Sequence, residues 1–343
     1  MTDVPTIDAL DELDRRIAAA LVQDGRAPWR RIAAALGEPE RSVARRGARL
    51  LDDGIVRVLA IPNPVSTLGA LPHTLRVAAA PNDLAEVAEA LAGRDDVPWV
   101  SVLATSSECI GEAYLPIGGM PGFLDAVRGI PGVTGYQLEP ITRYRQTSSG
   151  WRPGVLTAAE QASLHDPGEH AALFTSGEVD VDEGALELLR ALAHDGRATA
   201  ESVARALSIT KATAGSRIER ARTHGQIFIR GLVSPFMLGY PVEAHIRIEP
   251  GLAELDAVAD GLTGMPHTRV CAVAGTGVIA NLVATDPADL ERILRELVDA
   301  HPSAEPLHVD LVARSLKRSA VRFSDERPEA AMGDALTERL RSA

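Results

Sequence analysis

The sequence predicts an α+β protein made of two repeats, each a winged helix-turn-helix followed by a ferredoxin-like βαββαβ domain. Three observations predict it. The chain of 343 residues aligns with itself at an offset of 171: DELDRRIAAALVQDGRAP (11–28) matches DEGALELLRALAHDGRAT (182–199) without gaps. Each matching block opens a run of three short helical periods and one strand. Each run is then followed by strands alternating with helices. The register extends through Ile32 with Val203, Leu36 with Leu207, Arg46 with Arg217, Arg49 with Arg220, Gly54 with Gly225 and Pro64 with Pro235, before a one-residue slip at Leu68-Gly69 and Leu238-Gly239.

In the first repeat Leu13, Ile17, Ala20 and Leu21 recur at helical spacing, and Asp24-Gly25 stops that helix. Pro28 suits the start of a second helix, where a missing N–H costs nothing, and Trp29, Ile32, Ala33 and Leu36 give it one apolar face. A third helix is expected over Glu40–Leu51, with Val43, Gly47 and Leu50 inward, ended by Gly54. Ile55–Ile61 then reads as a wing strand. The second repeat follows the same plan. Thr199 and Thr210 are expected to cap its second and third helices, and Ile227–Val233 is its wing strand.

The sensing halves come next. Expected strands are Thr74–Ala80, Val97–Ala104, Ile110–Leu115 and Val133–Glu139, then Glu243–Ile248, Thr268–Ala274, Val278–Ala284 and Pro306–Ala313. Helices are expected at Leu84–Leu91, Gly122–Val127, Leu252–Leu262 and Pro287–Ala300. This order implies a four-stranded antiparallel sheet with helices on one face, so the other face must be covered. The division is 1–62 and 181–234 for the helix-turn-helix units, 63–146 and 235–316 for the ferredoxin-like domains, 147–180 for a linker and 317–343 for a polar tail. A short helix is expected at Thr157–Ser163 in the linker and another near Pro328–Leu340 in the tail.

Charge is distributed unevenly. The net charge is −12, yet residues 26–57 hold eight arginines against four acids, and residues 197–230 hold seven Lys/Arg against two. Local positive charge is what phosphate contact needs. At 3%, aromatics are too few for a binder that stacks single-stranded bases. Two short helices joined by a tight turn, the second basic, fit a DNA major groove, with side-chain donors aimed at base edges. The outward candidates are Arg41, Ser42, Arg45, Arg46 and Arg49 in the first repeat, and Lys211, Thr213, Ser216, Arg217 and Arg220 in the second. Arg46 and Arg217 share a register and could brace the fold instead of reading bases.

LDELDRRIAAALVQDGRAPWRRIAAALG followed by SVARRGARLLDDGIVRV resembles the Lrp/AsnC family of bacterial and archaeal regulators, and ALELLRALAHDGRATAESVARALS followed by RIERARTHGQIFIRGLVSP resembles the same module again. Two departures stand out: Pro39 where the family has a Ser or Thr cap, and Gly47 where it has a branched apolar residue. The resemblance implies a sequence-specific regulator acting on double-stranded DNA and modulated by a small-molecule effector, an amino acid or other small metabolite. It also implies that two sheets pack together as a dimer. Here both copies lie in one chain, so an internal pseudo-dimer and a homo-oligomer both stay open. By the same resemblance, an effector would sit at the hairpins holding Thr105, Ser106, Ser107, Glu108 and Cys109, and Gly275, Thr276 and Gly277, whose N–H groups can hold a carboxylate. A plain turn is the alternative there, because the family's acid is missing at the matching sites.

Other classes find less support. Two cysteines, Cys109 and Cys271, offer neither a disulfide framework nor a metal cluster, and no metal or cofactor is expected. The acidic first residues lack a secretory pattern and no apolar run reaches membrane-spanning length, so a cytoplasmic protein with no membrane partner is expected. Siroheme decarboxylases, which resemble this family and also occur as fused chains, are the enzyme alternative. Their chemistry calls for His and Arg around a large pocket, whereas His73, His245, His165 and His170 are scattered in the sequence. A sensor that has lost DNA binding is the third reading; the expectation is a non-enzyme.

Overall fold

A computed structural model of the chain describes residues 10–164, 183–304 and 306–332. In the first half α1 (Glu12–Gln23), α2 (Trp29–Leu36) and α3 (Glu40–Asp52) lead to strand β1 (Arg57–Pro62). The Asp11 side chain caps α1 by accepting from the Asp14 N–H at 2.9 Å, and Gly37 ends α2 in the left-handed conformation at φ 67°. Helix α3 buries Val43, Gly47 and Leu50, as the apolar spacing predicts. Gly47 has a packing reason: a Cβ there would overlap the ring of Trp29, so the missing side chain makes room for the indole.

The second half opens with α7 (Glu183–Leu192), α8 (Ala200–Ala206), α9 (Lys211–Thr223) and β6 (Ile227–Leu232), α6 (Ala158–Ser163) lying between the halves. Thr199 and Thr210 cap α8 and α9, each accepting a backbone N–H three residues on at 3.1 Å.

The strands expected to be wings pair with each other. β1 and β6 form an antiparallel two-stranded ribbon with Leu59 opposite Arg230, two positions that are 171 apart and therefore equivalent. The DGRA turns lock this ribbon reciprocally. Arg26 donates to the carbonyls of Gly196 (2.6 Å) and Ala198 (3.0 Å), while Arg197 donates to those of Gly25 (2.6 Å) and Ala27 (3.2 Å). The Gly25 N–H reaches the Ile229 carbonyl at 3.1 Å, and the Gly196 N–H reaches that of Val58 at 2.7 Å. A Cβ on Gly25 would lie 2.7 Å from the Arg230 Cα, so glycine is required for the turn to approach the opposite strand. One apolar core gathers the helices of both halves around the ribbon.

The remaining elements are β2 (Ala70–Ala79), α4 (Leu84–Ala92), β3 (Trp99–Leu103), β4 (Glu108–Pro116), α5 (Met120–Arg128) and β5 (Val133–Gln146), then β7 (Val242–Ile248), α10 (Leu255–Thr263), β8 (Thr268–Ala274), β9 (Gly277–Ala284), α11 (Pro287–Ala300) and β10 (Pro306–Arg318). Strand order is β3-β4-β2-β5 in one half and β8-β9-β7-β10 in the other. β5 pairs with β8 and β10 with β3, closing a ring of eight strands. Equivalent residues make both junctions: Tyr144 faces Ala272 and Ser315 faces Ser101. This second pairing is why β5 and β10 run beyond their expected ends at Glu139 and Ala313. Helices α4 and α5 cover the outer face of one sheet and α10 and α11 that of the other, each over its own core. The inner faces enclose the centre of the molecule.

Two expectations need correction. The first part of the supposed linker is packed: Trp151, Leu156 and Leu164 are buried in the helical core, and the Trp151 Nε1 donates to the Pro266 carbonyl at 3.0 Å. Its short helix is present as α6, closed by a capping box between Thr157 and Glu160. The start of the supposed tail is a hairpin, β11 (Val321–Ser324) with β12 (Arg327–Met332), where a helix from Pro328 was expected. Val321 and Phe323 alternate inward, and both tight turns place non-glycine residues at positive φ: Ser319 and Ala320, then Asp325 and Glu326. Without Asn-Gly or Asp-Gly, no turn signal announces such a hairpin. Residues 333–340 of the expected tail helix lie outside the described residues.

Candidate functional site

On the outer face of α3, Arg41 and Arg45 are exposed and have no ion-pair partner among the described residues. Ser42 is half-buried beside them. The next turn differs. Arg46 pairs with Asp11 (2.6 Å) and Asp14 (2.9 Å), and Arg49 also pairs with Asp14, so α1 holds both guanidinium groups. Donating hydrogen bonds to Asp11 and Asp14 raises the Arg46 pKa. In α9, Lys211, Thr213 and Ser216 are exposed, and Thr213 shares a hydrogen bond with the Thr210 cap at 2.8 Å. Arg217 pairs with Glu187 on α7 at 3.2 Å, the counterpart of the Arg46 brace, and Arg220 is exposed. The N-terminal halves of both helices therefore present solvent-exposed polar side chains outward, while Arg46, Arg49 and Arg217 farther along bind their own scaffold.

The hairpins expected to hold an effector lie at one end of the strand ring. Thr105 is exposed, Ser106 and Ser107 are half-buried, and the Ser106 hydroxyl donates to Glu108 at 3.0 Å. Glu108 accepts from Arg76 at 2.6 Å, and Arg76 also pairs with Asp310 of the other half. The equivalent Arg247 pairs with Glu139 at 2.8 Å. Gly275 (φ 57°) and Thr276 form a tight exposed turn, and a Cβ on Gly277 would fall 2.9 Å from the Ile248 carbonyl. This end of the ring is thus zipped by two reciprocal ion pairs between the halves.

A second region, which the motif reading did not single out, lies between the β1–β6 ribbon and the inner wall of the ring. It is a cavity of about 110 Å³ lined from both halves. Ile61, Pro62, Trp99 and Phe228 supply apolar walls; Glu112, Tyr114 and Tyr144 come from β4 and β5; Arg230, His245, Arg269, Asn281 and Arg318 come from the second half. His245 stacks on Trp99 with ring centroids 5.8 Å apart. The histidine in the first half, His73, is register-equivalent to Ala244, not to His245. It lies buried outside the cavity, its Nδ1 3.0 Å from the Leu71 carbonyl.

The cavity's charges are only partly balanced. Arg318 grips Glu243 with two hydrogen bonds (2.8 and 2.5 Å), and Arg269 reaches the same carboxylate at 3.2 Å. Burial would raise the Glu243 pKa, but Arg318 and Arg269 overcome it and hold it at about 2. Arg230 is 5% exposed and, among the described residues, donates only to the hydroxyls of Ser148 (2.6 Å) and Ser319 (2.9 Å), with no acceptor for its Nε. Burial, with Arg269 nearby, brings its pKa down to about 9. Burial pushes the Glu112 carboxyl up to about 7 despite hydrogen bonds from Tyr144 and Tyr114, and lowers His245 to about 4, with Arg76 adding to the effect. Three guanidinium groups, Arg230, Arg269 and Arg318, line the cavity beside flat apolar walls, with Asp95 and Glu112 also in the lining. The one signal for it in the sequence is a break in the repeat: at offset 171, Arg230, Arg269 and Arg318 stand where the first half has Leu59, Pro98 and Thr147.

Among the described residues no cluster of His, Cys, Asp or Glu is placed to hold a metal ion, and Cys109 and Cys271 are separately buried thiols. No helix among them is long and apolar enough to cross a membrane.

Residues 10–51 match the AsnC-type helix-turn-helix domain family. An uncharacterized HTH-type transcriptional regulator of Pyrococcus furiosus is 40% identical over 94 residues, 27% of this chain and 64% of the relative, so the chain spans under two thirds of that relative's length. An HTH-type transcriptional regulator of Pyrococcus abyssi is 30% identical over 129 residues, 37% of this chain and 85% of the relative. Among solved structures, the siroheme decarboxylase NirDL has a similar fold along the whole chain, with a TM-score of 0.57, 11% identity, and coverage of 97% of this chain and 98% of that one.

Proposed function

We propose, for a chain that belongs to the Lrp/AsnC family, that it is a sequence-specific regulator of transcription which binds double-stranded DNA and answers to a small-molecule effector in the cytoplasm. The observation that carries the reading is the split on α3, with Arg41 and Arg45 exposed and unpaired among the described residues and Arg46 and Arg49 held by α1. Guanidinium groups on the first turns of such a helix suit guanine edges and phosphates. Lys211, Thr213 and Ser216 on α9 would read a second, different half-site. The two halves of the chain act as a built-in dimer, supported by the reciprocal ribbon and ring contacts.

In a gel-shift titration on the gene's own upstream region, replacing Arg41 and Arg45 together by alanine should weaken specific binding by about 1–3 kcal/mol for each base that is no longer read. Unchanged binding would remove α3 as the reader. A second reading, an enzyme acting on a tetrapyrrole, is favoured by one observation, the arginine-lined cavity in a fold similar along its whole length to a siroheme decarboxylase. Absorbance of the purified protein between 380 and 700 nm separates the two: a colourless protein that selects a DNA consensus supports the regulator, and a bound tetrapyrrole with no consensus supports the enzyme.

A further inference from the structure

Arg230 sits at the centre of the ribbon that joins the two helical heads, opposite the equivalent Leu59. A leucine serves this position in one half, so strand pairing does not call for a guanidinium in the other. The Arg230 charge is buried, meets two neutral hydroxyls and no carboxylate of a described residue, and leaves Nε without an acceptor beside an open cavity. Burying a cation without a counter-charge is costly, and an incoming anion removes that cost. Trp99 and Phe228 supply flat apolar walls in the same cavity, with Ile279 completing them.

We propose that this cavity is the effector site, and that it takes a flat small molecule bearing a carboxylate, the carboxylate on Arg230 and the ring system between the apolar walls. The proposal rests on the regulator reading and moves its effector from the hairpins to the centre. Arg230 belongs to the ribbon, Ser148 follows β5, and Ser319 lies in the turn between β10 and β11. A bound carboxylate that draws on Arg230 therefore changes contacts between the ribbon, which joins the two helical heads, and the segments that follow β5 and β10.

The test titrates the full chain with 2-naphthoate and with its neutral analogue 2-naphthamide, following tryptophan fluorescence and Tm. Naphthoate should quench fluorescence and raise Tm, with naphthamide at least tenfold weaker. Arg230→Leu, which copies Leu59, should lose at least tenfold in naphthoate affinity while melting no lower than the wild type, and Arg230→Lys should recover part of the affinity. The proposal is overturned if naphthoate does not bind at millimolar concentration, if acid and amide bind equally, or if Arg230→Leu binds the acid like the wild type. DNA affinity is measured separately on the same proteins. Failure of the wild type to bind DNA would sink the regulator reading while leaving the anion titration interpretable, and wild-type DNA binding with no naphthoate response would sink the effector site alone.

Discussion

The two halves of this chain are alike where they touch each other and unlike where they face something else. The mutual contacts repeat residue for residue: Arg26 and Arg197 clamp each other's turns, Gly25 and Gly196 admit each other's strands, and Arg76 and Arg247 reach across to Asp310 and Glu139. The outer faces of α3 and α9 share few side chains, and the central cavity has Arg230, His245, Arg269 and Arg318 where the first half has Leu59, Thr74, Pro98 and Thr147. The contacts between the halves are kept in both copies, while the outer helix faces and the cavity lining differ. A symmetric pair of chains could not place one arginine on its own axis without placing two.

The largest effect should come from breaking a contact that both halves share. Gly25→Val drives its side chain into the Arg230 backbone, which cannot step aside, and should cost about 3 kcal/mol or more in chemical unfolding, enough to threaten folding. Gly196→Val meets the Leu59 backbone at 3.0 Å and should behave alike; a neutral result for either would deny the reciprocal lock.

The asymmetric charges give the next effect. Glu243 is held at about 2 against an ordinary 4.5, so its contribution to stability is fully present above pH 4.5 and is lost as pH falls through 2. Its size is about 3 kcal/mol. Glu243→Gln should remove that acid dependence and, by leaving Arg318 and Arg269 unbalanced, lower stability at pH 7 by about 3–5 kcal/mol. An acid-unfolding curve that Glu243→Gln leaves unaltered would contradict this.

The sequence made the repeat and its local elements legible. Its offset-171 repeat, the Thr199 and Thr210 caps, and the inward set Val43, Gly47 and Leu50 all reappear in the fold. Helix α11 spans Pro287–Ala300, the range expected for it. What stayed hidden depended on contacts between distant segments. The strands after α3 and α9 look like wings until each finds the other as partner. The β10–β11 and β11–β12 turns are made by Ser-Ala and Asp-Glu, which carry no turn signature. The cavity gathers residues from Ile61 to Ala320, and its arginines, Arg230, Arg269 and Arg318, are marked in the sequence only as departures from the repeat.

A smaller effect tests the fit between the first two reading elements. Gly47→Ala should destabilise the protein by about 1–2 kcal/mol through overlap with Trp29, in spite of alanine's better helix propensity. Combining it with Trp29→Leu should recover part of the loss in a double-mutant cycle; strict additivity would deny the contact. Smaller still, Lys211→Ala should reduce the slope of log affinity against log salt by about 1.

Selection of bound sequences from random DNA tests divergence of the reading faces most directly, run on the wild type and on two variants, Arg41→Ala with Arg45→Ala, and Lys211→Ala with Ser216→Ala. The wild type should recover two dissimilar half-sites about one or more helical turns apart, and each variant should lose discrimination in one half-site only. A perfect palindrome, with both variants degrading both arms equally, would contradict the account.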